Sequence, residues 1–180
     1  MDYSMGNLLI ISGDDREDIK RFIESFLSQD PESDDPNDKC IDFYKIIPVN
    51  VPENECERMR QWGVMQNATN TSVIYEEGGK PKAMVNKIYF DTEDTVPKIV
   101  KALAEKRPDL YYRYEYCDDE ARYAGELVIE AGYESEEVYE PRGEDTIILF
   151  HELWGRYNDF VLDKKTGKYV SADETETEIG

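Results

Sequence analysis

The sequence predicts an α+β fold in which an antiparallel sheet carries helices on one face. Three observations predict it. Short apolar runs bounded by turn residues recur along the chain. Two segments repeat apolar residues at helical spacing. The segments follow the order strand, helix, strand pair, helix, strand pair, and 39% apolar with 12% aromatic residues in 180 positions suffices for a core.

The first strand is expected over residues 7–12 (NLLIIS), which are apolar, β-branched and closed by Gly13. Asp14 and Glu17 stand three apart as a capping pair, and Asp15 and Asp18 add negative charge where a helix N-terminus favours it. Ile19, Phe22, Ile23, Phe26 and Leu27 then form one apolar helical stripe. Residues 30–38 (DPESDDPND) hold five acids and two prolines, which reads as an exposed loop. Residues 41–49 (IDFYKIIPV) are expected to be extended up to Pro48, and residues 53–62 to form a short helix with acids leading and Arg58 and Arg60 near its end.

Residues 71–75 and 84–90 are expected as two strands joined through Glu76, Glu77, Gly78 and Gly79. A helix begins near Asp94, with Pro97 in its first turn, and carries Val96, Ile99, Val100, Leu103 and Ala104 on one stripe until Pro108. Residues 110–116 place Tyr112, Tyr114 and Tyr116 on one strand face. Residues 123–133 read as one half-exposed strand with Leu127 and Ile129 opposed to Glu126 and Glu130. After Pro141, Arg142 and Gly143 comes an apolar run at 146–153, then a hairpin pairing 160–162 with 168–170. The order matches the split βαβ arrangement of ferredoxin-like folds. Residues 1–142 are therefore assigned to a ferredoxin-like domain, and 143–180 to a C-terminal β extension and acidic tail.

Charge is the strongest functional signal. Forty-one acids oppose twenty-one bases, a formal net of −20. Nucleic acid and anionic membrane would be repelled by most of such a surface, which suits a strongly basic protein partner instead. Solubility is the plainer explanation of the same acids. Cys40, Cys56 and Cys117 are odd in number with no CxxC spacing, so neither a disulfide framework nor a zinc site is read from them. They fit reduced residues in a cytoplasmic protein. The first fifteen residues have no basic region and only a four-residue apolar run, so they read as neither signal peptide nor membrane span.

Several motifs together resemble the YubB-type ferredoxin-like family of phage and plasmid proteins. They are NLLIISG at 7–13, IDFYKIIPV at 41–49, Trp62-Gly63 with Asn67-Ala68, Phe90-Asp91-Thr92, Arg107-Pro108-Asp109-Leu110, Glu115-Tyr116 and Ala124-Gly125-Glu126. The likeness spans residues 5–133. The family usually carries a tryptophan and paired prolines after the Phe-Asp-Thr element, where this chain has Glu93-Asp94-Thr95-Val96-Pro97. A second family tryptophan is replaced by the stretch Val64-Met65-Gln66. The resemblance implies a ferredoxin-like fold and a mobile-element origin, with no established activity and no catalytic residues to transfer.

No catalytic constellation accompanies the charge. His151 is the single histidine, and His151-Glu152-Leu153-Trp154-Gly155 lacks the second histidine of a zinc-protease helix. The serines lie outside any GxSxG context. The acid-rich loop lacks the glycine and terminal glutamate of a calcium hand, so no metal or other cofactor is assigned. Tyrosines at 111, 112, 114 and 116 could stack on RNA, but few cations stand beside them.

The candidate partner-binding residues are therefore the acid groups. Asp118, Asp119 and Glu120 form one, and Glu134, Glu136, Glu137 and Glu140 with Glu144 and Asp145 form another. The loop at 30–38 is a third. Aligned by folding, they would imitate a row of phosphates, with exposed tyrosines and Trp154 as anchors. The expectation is a non-enzymatic protein that binds and inhibits a basic host protein, a nuclease of the CRISPR or restriction type. Two alternatives stand beside it: an accessory module holding a small or peptide ligand on its sheet, and an enzyme using a carboxylate-bound metal.

Overall fold

A computed structural model describes residues 4–50, 54–77 and 84–173. Strand β1 (Met5–Gly13) leads through Asp14 and Asp15 into helix α1 (Arg16–Ser25). The cap is Asp15, whose side chain accepts from the Asp18 backbone N–H at 3.2 Å, one residue beyond the expected Asp14. Ile19 and Ile23 bury the expected stripe.

Strands β2 (Leu27–Gln29) and β3 (Lys39–Ile41) form a small ribbon on either side of the acid-rich loop. Residues 41–49 are not one extended segment: β3 gives way to a single turn of helix, α2 (Phe43–Ile46). Asp42 supplies the reason. Its carboxylate accepts from the Tyr44 N–H at 3.1 Å while Asn67 Oδ1 takes the Phe43 N–H at 2.9 Å, so two orphan donors are satisfied. The turn drives Phe43 against the fully buried Trp62 ring, 5.5 Å between centroids, which outweighs the strand propensity of the apolar run. Trp62 ends helix α3 (Glu55–Trp62), which Asn54 caps and Gly63 terminates at φ 85°.

Strands β4 (Thr69–Glu77) and β5 (Met84–Thr92) pair antiparallel as expected, and the link expected through Gly78 and Gly79 lies outside the described residues. Helix α4 (Pro97–Lys106) has Pro97 in its first turn. It is followed by β6 (Tyr111–Asp118) and β7 (Ala124–Glu130). The single strand expected over 123–133 instead turns back at Ala131 and Gly132 into a further strand, β8 (Tyr133–Val138). Both turn residues have positive φ, 50° and 82°, the backbone of a tight two-residue hairpin.

The main sheet is antiparallel throughout, in the order β4-β5-β1-β6-β7-β8. Its first four members have the ferredoxin-like arrangement, with β1 between β5 and β6. One face carries the main core, where Leu9, Ile11, Tyr112, Tyr114 and Leu127 meet Ile19, Trp62, Val100 and Leu103.

The apolar run at 146–153 belongs to helix α5 (Glu144–Trp154), so the C-terminal extension opens with a helix before its strands β9 (Phe160–Asp163) and β10 (Lys168–Ser171). This helix does not join the others. It covers the reverse face at one end, where Ile147 and Phe150 pack over Cys117 and Ala124 and Trp154 lies over Gly6. The double cover explains β1: Met5 to Leu9 are buried on both faces, whereas Ile10 and Ser12, beyond α5, are half-exposed. Among the described residues no helix is long and apolar enough to cross a membrane.

Candidate functional site

The reverse face beyond the end of α5 is where acids converge. Antiparallel register places Leu8 opposite Glu115, Glu115 opposite Glu126, and Glu126 opposite Glu137. Three glutamates thus stand side by side across β6, β7 and β8. Directly opposed like charges destabilise a sheet, so this row is not what stability alone would select. One cation holds its inner part together: Arg113 reaches Glu115 at 2.8 Å and Glu126 at 2.9 Å. Glu152 of α5 stands near and accepts from the Tyr89 hydroxyl at 3.2 Å.

The titration behaviour reports the field. Burial raises Glu115 above the usual carboxylate range, with Arg113 opposing and Glu152 and Glu126 reinforcing the rise. Burial, with Glu126 and Glu115, pushes the Tyr139 phenol up to about 12.

Strand β8 extends the acid row to the sheet edge. All six of its residues are exposed, Tyr133 at 82% and Val138 at 79%. Glu134 and Glu136 point to the α4 side, where Lys101 lies 3.4 and 3.6 Å from them. Glu137 points to the reverse side and has no ion-pair partner among the described residues. Glu140 follows, paired with Lys168 at 2.9 Å, and its carbonyl accepts from Gly143 N–H and the Thr146 hydroxyl at 2.9 and 2.7 Å. That turn delivers Glu144 and Asp145 to the first turn of α5, where negative charge complements the helix dipole.

The turn carrying Asp118, Asp119 and Glu120 abuts this one, because the Arg142 N–H donates to the Ala121 carbonyl at 2.8 Å. Within it the roles differ. Asp118 is buried and clamps the turn, accepting from the Arg122 and Tyr123 N–H groups at 2.7 and 3.0 Å. Burial and the neighbouring Asp118 raise Asp119, and Glu120 pairs with Arg122 at 3.1 Å. Folding therefore joins two of the acid groups. The third, at 30–38, lies with β2 and β3 beside β4 at the other edge of the sheet, and spends several carboxylates on its own turns, as Asp30 and Asp35 do in accepting from Glu32 and Asn37 N–H.

Trp154 is a packing residue rather than an exposed anchor. Its indole N–H donates to the Cys117 carbonyl at 3.0 Å and its ring covers Gly6. Among the described residues the aromatics that face outward are Tyr123, Tyr133 and Tyr157. Glu115 and Glu126, central to the row, are absent from the sequence-derived acid groups because each is isolated in the chain and only strand register brings them together.

His151 is half-buried, with its ring 5.0 Å from that of Tyr157. Among the described residues no three His, Cys, Asp or Glu side chains are grouped to hold a metal ion. No family model, curated protein or solved structure matches the chain.

Proposed function

We propose that this is a non-enzymatic, cytoplasmic protein of a phage or other mobile element that binds a basic, nucleic-acid-handling host protein and inhibits it. The partner class is a defence nuclease of the CRISPR or restriction type. The observation that carries the reading is the in-register row of Glu115, Glu126 and Glu137 on the reverse face, which runs out to the exposed β8 edge, with Glu144 and Asp145 at the α5 N-terminus after it in the chain. Such a strip attracts a groove built for phosphates at long range and occupies it without presenting a base or sugar. Tyr133, at the tip of the same hairpin, supplies an aromatic contact once the charges have steered the encounter.

The test is inhibition of DNA cleavage by a panel of purified CRISPR and restriction nucleases. It is run from about 0.01 M salt, where charges act over ~30 Å, to about 1 M, where they act over ~3 Å. A nuclease inhibited at low salt, released at high salt and spared by the double variant Glu126→Gln, Glu137→Gln supports the reading. Inhibition untouched by both salt and the double variant would falsify it.

A further inference from the structure

We infer that the β8 edge is a strand-docking site, and that its occupant is an extended segment of the partner with lysine or arginine at alternate positions. This deepens the proposed function and rests on it for the sign of the partner's charge. The inference starts from the hairpin. A two-residue turn makes Glu130 and Tyr133 a hydrogen-bonded pair, and such pairs alternate along an antiparallel ladder. The Tyr139 N–H donating to the Ala124 carbonyl at 2.9 Å fixes the same alternation at the far end. The intervening Glu134, Glu136 and Val138 therefore turn their N–H and C=O groups away from β7, toward open solvent. An unpaired edge of this kind is a template for another strand.

Two features select the occupant. A second copy of this chain would set its own glutamates against Glu134, Glu136 and Glu137, and like charges facing each other across a ladder oppose pairing. A strand bearing cations at alternate positions turns all of them to one face of the ladder; Lys101 already pairs with Glu134 and Glu136, so the favoured register sets the cations on the reverse side, beside Glu137. The opposite edge offers no equivalent, because β3 lies along part of β4, where the Thr71 hydroxyl accepts from the Ile41 N–H at 3.1 Å.

The experiment titrates the full chain with a synthetic ten-residue peptide alternating lysine and threonine, at low salt. It follows amide exchange at Glu134, Glu136 and Val138 together with the dissociation constant. The informative variant is Val138→Pro, which removes one outward N–H, changes no charge and breaks no bond to β7; edge strands accept proline in that position. Glu137→Gln serves as the charge variant, and unchanged melting curves for both establish that they fold. Peptide-dependent protection of the three amides, with ~3- to 10-fold weaker binding by Val138→Pro as expected for one lost hydrogen bond, supports the inference. Binding that weakens with Glu137→Gln but not with Val138→Pro, with the amides unprotected, overturns strand docking and leaves the charge reading standing. A peptide that does not bind at low salt overturns both.

Discussion

The hydroxyl of Tyr114 donates to Asn7 Oδ1 at 2.5 Å across the contact between β6 and β1, in the fully buried core. The Tyr114 hydroxyl oxygen accepts the Val96 N–H at 3.0 Å at the start of α4, and Asn7 Nδ2 donates to the Phe90 carbonyl and the Thr92 hydroxyl of β5. Three strands and a helix are thereby tied at one polar point. Burial raises the phenol far above its ordinary range, which favours the protonated donor. Tyr114→Phe keeps the ring and strands two buried polar groups. The expected loss is about 1–3 kcal/mol in urea unfolding, with little change in far-ultraviolet circular dichroism.

Glu137 faces Glu126 with no cation of its own among the described residues. Glu137→Lys turns a like-charge pair into an opposite-charge pair. It should stabilise the fold by roughly 0.2–1 kcal/mol at low salt, shrinking as salt rises, while weakening any cationic partner. A substitution that gains stability and loses binding is the signature of an acid retained for contact; unchanged stability at low salt would contradict the opposition of these charges.

Stability should fall as pH rises through the interval just above the ordinary carboxylate range. Glu115, Asp91 and Asp119 are all raised, chiefly by burial. In that interval the folded chain retains protons that the unfolded chain has released, so each rise in pH favours unfolding. Glu115→Gln should flatten this slope in urea unfolding measured across mildly acidic pH. Asp109 acts with the opposite sign: hydrogen bonding to Arg107 lowers it, so its contribution is present above the ordinary aspartate range and is lost as pH falls below it.

The cysteines should separate by reactivity. Burial, with Asp118 and Asp119 nearby, pushes the Cys117 thiol up to about 12, and Cys40 is buried, whereas Cys56 is exposed. A disulfide reagent at pH 8 should titrate one thiol quickly and the other two only after denaturant is added. Rapid reaction at Cys117 would show that α5 leaves the reverse face readily.

Gly125 is where β7 leaves no room for a side chain. A Cβ there would stand 2.5 Å from the Glu137 carbonyl and 2.7 Å from the Tyr116 hydroxyl. Gly125→Ala should push β8 away from β7, costing about 1–3 kcal/mol. Hydrogen exchange should speed up first at residues 133–138, where loss confined to the main core would argue against this placement.

Much of the architecture was legible because its signals are local. The helical stripe of Ile19, Phe22 and Ile23, Pro97 opening α4, and the strand closed by Gly13 follow from spacing and turn chemistry within a few residues, whereas Phe26, expected on the same stripe, caps α1 and Leu27 begins β2. Two elements differ from the expectation for different reasons: residues 43–46 are helical through the distant Asn67 and Trp62, and the local return at Ala131 and Gly132 carries no Asn-Gly signature to mark it. Acid runs at 118–120 and 134–145 were visible as composition, yet Asp118 proved a turn clamp and Trp154 a packing residue.

By itself the sequence determined the α+β class, the alternation of strands and helices, and the −20 surplus, since propensity, periodicity and ionisation are properties of residues and their near neighbours. Only the tertiary structure decided that α5 crosses to the reverse face, that Glu115, Glu126 and Glu137 share one row, and that β8 is left with a bare edge. Those outcomes depend on strand register and on competition for buried surface, which couple residues far apart in the chain and leave no periodic trace within any one segment.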